Sequence, residues 1–335
     1  MKALFLIVAV LLTSQFASGQ WIKQTIDTTA SFRGLSVVNE KVIWASGTEG
    51  TVIRTVDGGK HWDVMKVPDA DKLDFRDIEG FDANTAYILS IGNGESSRIY
   101  KTTDGGKTWI LQFKNTNEKA FFDAMACWDS KTCLAISDPV DGKFLLINTW
   151  NGGAEWRFMD NSKMPAAKDG EAAFAASGTC LITQGVRNAY IVTGGTDARL
   201  FTSTDRGKTW SVQDARMNKG TAATGVFSIA MQDARNGIMV GGNYEKPDDD
   251  VNTIGFITAL GTTRKIGPGP SGYRSGVSFI DGKSIVAVGT NGSDISGDGG
   301  NTWKRIGNEN LNAVQAKGKK AVWAVGPKGI VVKMR

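Results

Sequence analysis

Thr55-Val-Asp-Gly-Gly-Lys-His-Trp62, Thr102-Thr-Asp-Gly-Gly-Lys-Thr-Trp109, Ser203-Thr-Asp-Arg-Gly-Lys-Thr-Trp210 and Ser296-Gly-Asp-Gly-Gly-Asn-Thr-Trp303 are versions of one eight-residue box. Thr149-Trp-Asn-Gly-Gly-Ala-Glu-Trp156 is a fifth, with Asn for Asp. The closing tryptophans lie 47, 47, 54 and then 93 residues apart, the last gap being about two units. A period of 40–50 residues marks a propeller or similar array. Each box suits a tight hairpin: the hydroxyl and the Asp accept from backbone N–H groups, and Gly tolerates positive φ. Its Trp opens the next strand and offers a large apolar face to a neighbouring sheet.

Working outward from the boxes gives a four-strand unit. In the first, residues 32–38, 42–46 and 51–55 read as strands a, b and c, and the box turns into strand d at 62–65. The order recurs at 75–112, 121–159, 171–213 and 273–306. Residues 225–267 keep strands a and b but have lost the box at Thr258-Ala-Leu-Gly-Thr-Thr-Arg264, which makes this a degenerate blade. Strands a, b and c of a last unit follow at 311–315, 321–325 and 330–333, and the missing fourth strand is supplied by Trp21-Ile-Lys-Gln24. The expected fold is therefore all-β, a seven-bladed β-propeller of four-stranded antiparallel blades. The N-terminal strand completes the last blade and so removes exposed edges.

Residues 1–19 read as a cleavable signal peptide: Lys2, an apolar run from Ala3 to Leu12, then Ala17-Ser18-Gly19. Residues 20–335 are then a single propeller domain, secreted or periplasmic, with no transmembrane segment and expected as a monomer. Without Lys2 there remain 38 basic and 34 acidic side chains, with no dense basic run, which argues against nucleic acid. Cys127 and Cys133 flank an Asp-Ser-Lys turn and can be a disulfide or two thiols; Cys180 is left over. His61 is the sole histidine and occupies a box position, so no metal site and no cofactor is expected. The acidic tip Asp248-Asp-Asp250 lacks the alternating spacing of a calcium loop.

The pattern S/T-x-D-x-G-x-T-W resembles the Asp-box (BNR) repeat of sialidases, sortilin-type receptors and photosystem II assembly-factor propellers. In the blade openings Phe32-Arg-Gly-Leu35 and Phe75-Arg-Asp-Ile78, the strand end Trp44-Ala-Ser-Gly47 and the boxes, the chain resembles the YCF48-like family of photosystem II stability and assembly factors. That resemblance implies a seven-bladed, non-catalytic binding or assembly factor with an arginine-rich patch on one face. It also implies structural boxes, carried by Asp57, Trp62, Asp104, Trp109, Trp156, Asp205, Trp210, Asp298 and Trp303.

The boxes are c–d turns, so function is expected on the opposite face, where the a strands begin around the central channel. Aligned on their openings, the blades carry Arg33, Arg76, Phe122, Ala172, Arg274 and Asn312 at the second position of strand a. Arg274, Asn312, Arg33 and Arg76 are consecutive in ring order. Such an arc suits a carboxylate, a phosphate or an acidic or carboxyl-terminal peptide, because guanidinium binds such groups bidentately. The plainer alternative for any one Arg is a structural ion pair, as of Arg76 with Asp74 or Asp77. Ser137-Asp-Pro139 and Gly170-Glu-Ala-Ala-Phe174 break the repeat, which makes Asp138 and Glu171 candidate site carboxylates.

The enzyme alternative is a carbohydrate-active propeller, either sialidase-like or using a carboxylate pair. A sialidase needs an Arg triad and a Tyr nucleophile, and Arg33, Arg76, Arg274 and Tyr273 supply the residue types. The Arg-Ile-Pro motif is absent, however, the blade count differs, and Tyr273 and Arg274 point to opposite faces of one strand. Asp138 and Glu171 are the pair a glycosidase would need. On balance the residues favour a binding protein with no catalytic residue. Its partner would be a protein, or else a glycan.

Overall fold

In the computed structural model, which describes residues 21–258, 263–264 and 268–335, seven antiparallel sheets form a closed propeller. The leader read in residues 1–19 lies outside the described residues. Blade 1 runs Phe32–Val37, Ile43–Gly47, Thr51–Thr55 and Asp63–Lys66 from the channel outward. Blade 2 runs from Phe75–Gly80 to Ile110–Lys114, blade 3 from Phe122–Asp129 to Arg157–Phe158, and blade 6 from Gly276–Phe279 to Lys304–Gly307. The box-less unit is a true blade 5: Thr224–Met231, Gly237–Asn243, Ile254–Ile257 and Thr263–Arg264 pair in order. Most of the turn that replaces its box lies outside the described residues.

The ring closes as the sequence implies. Trp21–Lys23 pairs antiparallel with Val331–Met334, as the outer strand of blade 7. Apolar clusters join neighbouring blades. Phe32 and Ile43 of blade 1 pack with Trp323 and Val325 of blade 7, and Val286 of blade 6 packs with Trp323's neighbours Val322 and Ala324.

Each box builds the same knot. Asp104 Oδ1 accepts from Thr108 N at 2.9 Å and Oδ2 from Thr108 Oγ1 at 2.6 Å, while Gly106 N donates to Thr102 Oγ1 at 2.9 Å. Asp298 repeats the two carboxylate bonds with Thr302. The Thr108 hydroxyl and backbone hold the Asp104 carboxyl down to about 2. The box tryptophans then reach back to the preceding blade: Trp62 meets Trp323 edge-to-face at 5.6 Å, Trp109 meets Trp44 at 6.5 Å, and Trp156 meets Tyr87 at 6.3 Å. Cys127 and Cys133 face each other across the hairpin of blade 3 and are bonded, and Cys180 is a buried thiol.

Blade 4 departs from the expected boundaries. Its inner strand is Leu181–Gln184, not a strand beginning at Glu171. Glu171–Ala172 pairs instead with Gly194–Gly195, which extends the sheet of blade 5. The residues between, 173–180, cross the channel as a plug. Ala173 N donates to Asp138 of blade 3, Ser177 Oγ donates to Ser275 O of blade 6 at 2.7 Å, and Thr179 Oγ1 meets Ser228 Oγ of blade 5 at 2.6 Å. Gly178 lies so close to Asp77 of blade 2 that a Cβ would stand 2.4 Å from its carboxylate.

Candidate functional site at the channel mouth

Four inner strands carry a register irregularity close to their start: between Phe32 and Gly34, Phe75 and Asp77, Phe122 and Ala124, and, after two further paired residues, Val226 and Ser228. The skipped residue is unpaired and free to turn into the channel, as a bulge allows. It is Arg33, Arg76, Asp123 and Phe227 in turn. In blades 6 and 7 the pairs Gly276–Val288 and Ala313–Val325 match Gly34–Ser46, so Ser275 and Asn312 hold the same position.

This register moves one member of the expected arc, Arg274, and one further residue aligned with it, Phe122. Phe122 corresponds to the buried Phe32 and Phe75, and Asp123 takes the channel position. Arg274 likewise stands where other blades bury Phe or Val. It is fully buried, with Nε 2.7 Å from Asp294 Oδ2, a second contact from Nη2, and Nη1 donating to Asn291 Oδ1 at 2.6 Å. A one-residue slip sends a strand side chain to the opposite face, and blade 6 opens one residue later than an alignment on Arg274 implies. Ala172 is not a channel residue either, since strand a of blade 4 begins after the plug.

Arg33, Arg76 and Asn312 do line a common cavity of about 340 Å³ at the mouth. Phe174, Ala175 and Ala176 of the plug form one wall, so the cavity is backed by chain that crosses the bore. Arg76 Nε pairs with Asp74 Oδ2 at 2.7 Å and Nη1 donates to Ala175 O at 3.3 Å. Arg33 donates Nη1 to Ala176 O at 3.0 Å and has no carboxylate partner among the described residues. Burial, and then the neighbouring Arg76 charge, pull its pKa below the usual guanidinium value. Arginine nonetheless remains charged in proteins. Asn312 donates Nδ2 to Phe32 O at 2.8 Å.

An aromatic wall completes the cavity, and the sequence reading missed it. Phe174 of the plug stacks on Phe227 with centroids 3.9 Å apart, and Tyr273 meets Phe227 edge-on at 4.9 Å. Tyr244, from the long loop after strand b of blade 5, is 44% exposed and packs on both Phe227 and Tyr273. The available signal was Phe227 directly after Val226, in the place Arg33 holds after Phe32, hidden because that blade has no box to anchor the alignment. Burial raises the Tyr273 phenol well above its ordinary pKa, which leaves it a poor nucleophile at neutral pH.

The candidate carboxylates lie elsewhere. Asp138 and Glu171 line a separate cavity of about 550 Å³ with Lys168 and Asp169. Glu171 Oε1 accepts from Arg199 Nε at 2.9 Å and Thr193 Oγ1 at 2.6 Å, and Oε2 accepts from Lys168 N and from Arg199 Nη2. All its acceptor directions are used. Burial pushes the Asp138 carboxyl up to about 6 against the Ala173 N–H that favours its charge. Beneath the mouth, Asp77 is pushed up to about 7 by burial, and burial together with Asp138 raises Asp123. Asp123 Oδ2 has no hydrogen-bond partner among the described residues.

Comparison with known proteins agrees with this architecture. A family model described as photosynthesis system II assembly factor YCF48 matches residues 12–118, less than half of the chain. A solved structure of YCF48 bound to D1 peptide superposes with a TM-score of 0.70 at 17% identity, covering 94% of this chain and 96% of that one. YCF48 from Cyanidioschyzon merolae gives 0.66 at 17% identity, covering 94% and 99%. A GH74 enzyme from Niastella koreensis gives 0.63 at 16% identity, covering 93% of this chain and 53% of the enzyme. No curated protein matches it. The chain is thus YCF48-like in its propeller fold and, over residues 12–118, in its sequence.

Proposed function

We propose that this YCF48-like propeller is an exported, non-catalytic assembly factor that holds an acidic or carboxyl-terminal segment of a protein partner at the channel mouth opposite the boxes. One observation carries the reading: Arg33 is partly buried, adjoins a second guanidinium and has no ion-pair partner among the described residues. A partly desolvated charge that has no direct ion pair is costly, and an anion from outside relieves that cost. The plug makes the cavity blind, which suits a chain end better than a passing loop, and the aromatic wall offers apolar contact beside the anion. That the similar YCF48 structure is bound to D1 peptide supports a peptide ligand.

The test is titration of fluorescent peptides with free and with amidated C-termini. The free carboxylate should bind more tightly, and Arg33→Ala should weaken it by ~10–100-fold, as loss of a charge-assisted bond of ~1.5–3 kcal/mol implies. Equal affinity for both peptides, or an unaffected variant, overturns the reading. Export is checked separately by mass spectrometry of the secreted or periplasmic protein, which should begin at Gln20.

A further inference from the structure

The geometry points to a second binding site, on the box face between blades 3 and 4, for a short acidic saccharide bearing uronate or sulfate groups. Two neighbouring boxes depart from the repeat at this point. Where the others have Val56, Thr103, Thr204 and Gly297, blade 3 has Trp150, 44% exposed. Where they have Gly58, Gly105, Gly152 and Gly299, all at φ between 76° and 80°, blade 4 has Arg206, held at φ 62°. A long side chain in the left-handed region is disfavoured, and Gly would relieve it. The strain is therefore kept for something the side chain does.

The two departures share a cavity of about 390 Å³ with Arg187 and Lys208. Arg206 is positioned within it, with Nε donating to Val186 O at 2.8 Å and the guanidinium 6.0 Å from the Trp128 ring. Arg187 and Lys208 are exposed, and neither side chain has an ion-pair or hydrogen-bond partner among the described residues. Asp205, the one acid lining the cavity, has its carboxylate engaged by Ser203 and Thr209. Three cations therefore surround one open indole.

That combination selects the ligand. Guanidinium takes carboxylate or sulfate in a fixed bidentate geometry. An exposed indole is a broad apolar plane that can cover the C–H face of a pyranose ring. The cavity lies at the small end of the ~300–1,000 Å³ range of small-molecule sites. A single-stranded nucleic acid would need a charged groove with successive stacking rings, whereas this site has one ring and no basic tract beyond it.

The experiment is calorimetric titration of the full chain with oligogalacturonate, the neutral maltohexaose, a poly-glutamate peptide and a short single-stranded oligonucleotide, at fixed ionic strength. Oligogalacturonate should bind best, and Trp150→Ala and Arg187→Ala should each weaken it by ~10-fold or more. Arg206→Gly restores the repeat, so it should keep or raise Tm while losing affinity, a result that a purely structural role cannot give. Arg33→Ala should leave this binding unchanged. Preference for the neutral sugar, the peptide or the oligonucleotide overturns the proposal, as does undiminished binding by Arg206→Gly.

Discussion

Asp77, Asp123 and Asp138 are acids held by burial above their ordinary carboxyl range, and the box aspartates Asp57 and Asp104 are held below it by hydrogen bonds from His61 and Thr108. The two sets pull stability in opposite directions. For a carboxyl raised in the folded state, the native protein binds more protons than the unfolded chain. Its contribution is complete below the unfolded pKa of ~4 and is lost as pH rises through about 6 for Asp138 and about 7 for Asp77. The box carboxyls behave conversely, and their contribution is lost as pH falls below ~4. Tm should therefore peak near pH ~4 and fall on both sides, by roughly 4 °C or more at pH 8. Scanning calorimetry across pH 3–9 checks this, and a Tm that is flat or highest at pH 8 contradicts it. Arg274→Ala belongs to the same scale. It strands Asp294 in the interior and should cost ~3–5 kcal/mol by urea unfolding, with peptide affinity unchanged in whatever variant stays folded.

At the scale of the element, the boxes were legible because their chemistry is local: a hydroxyl, an Asp and a Gly within five residues determine the turn whatever surrounds it. Blade 5 was legible from strands a and b, and the closing strand from Trp21. The mouth was legible only in part, since Arg33, Arg76 and Asn312 do meet there while Arg274 and Phe122 do not. A bulge sets which residue turns into the channel, and nothing within a strand of six residues marks where the partner skips one. The plug was visible as a break at Gly170–Phe174, but its path depends on bonds to blades distant in sequence. The register itself can be tested. Ser275→Arg places a guanidinium at the channel position of blade 6, and it should tighten binding of an anionic peptide several-fold, read by fluorescence anisotropy. If Ser275→Arg has no effect while an Arg274 variant that stays folded loses binding, blade 6 presents Arg274 and not Ser275 to the channel.

For the whole molecule, the ring depends on every junction, and the box tryptophans supply several of them. Trp109→Ala opens a cavity against Trp44 and should cost ~3–5 kcal/mol by urea unfolding, without altering the preference for a free carboxyl terminus. The plug ties five blades to one segment, so the channel is a shared interior and not a passage. The pairing of Trp21–Lys23 with Val331–Met334 also orders events in time. The first strand of the fold to leave the ribosome needs a partner made only after the inner strands of all seven blades. Blades 1 to 6 can assemble from near neighbours, but the seventh waits for the strand Val331–Met334. Until then the growing propeller is an open arc with two unpaired sheet edges, the form most exposed to misassembly. Closure of the ring is thus the last step of folding, taken only once the strand at Trp21 and the strand at Val331 find each other.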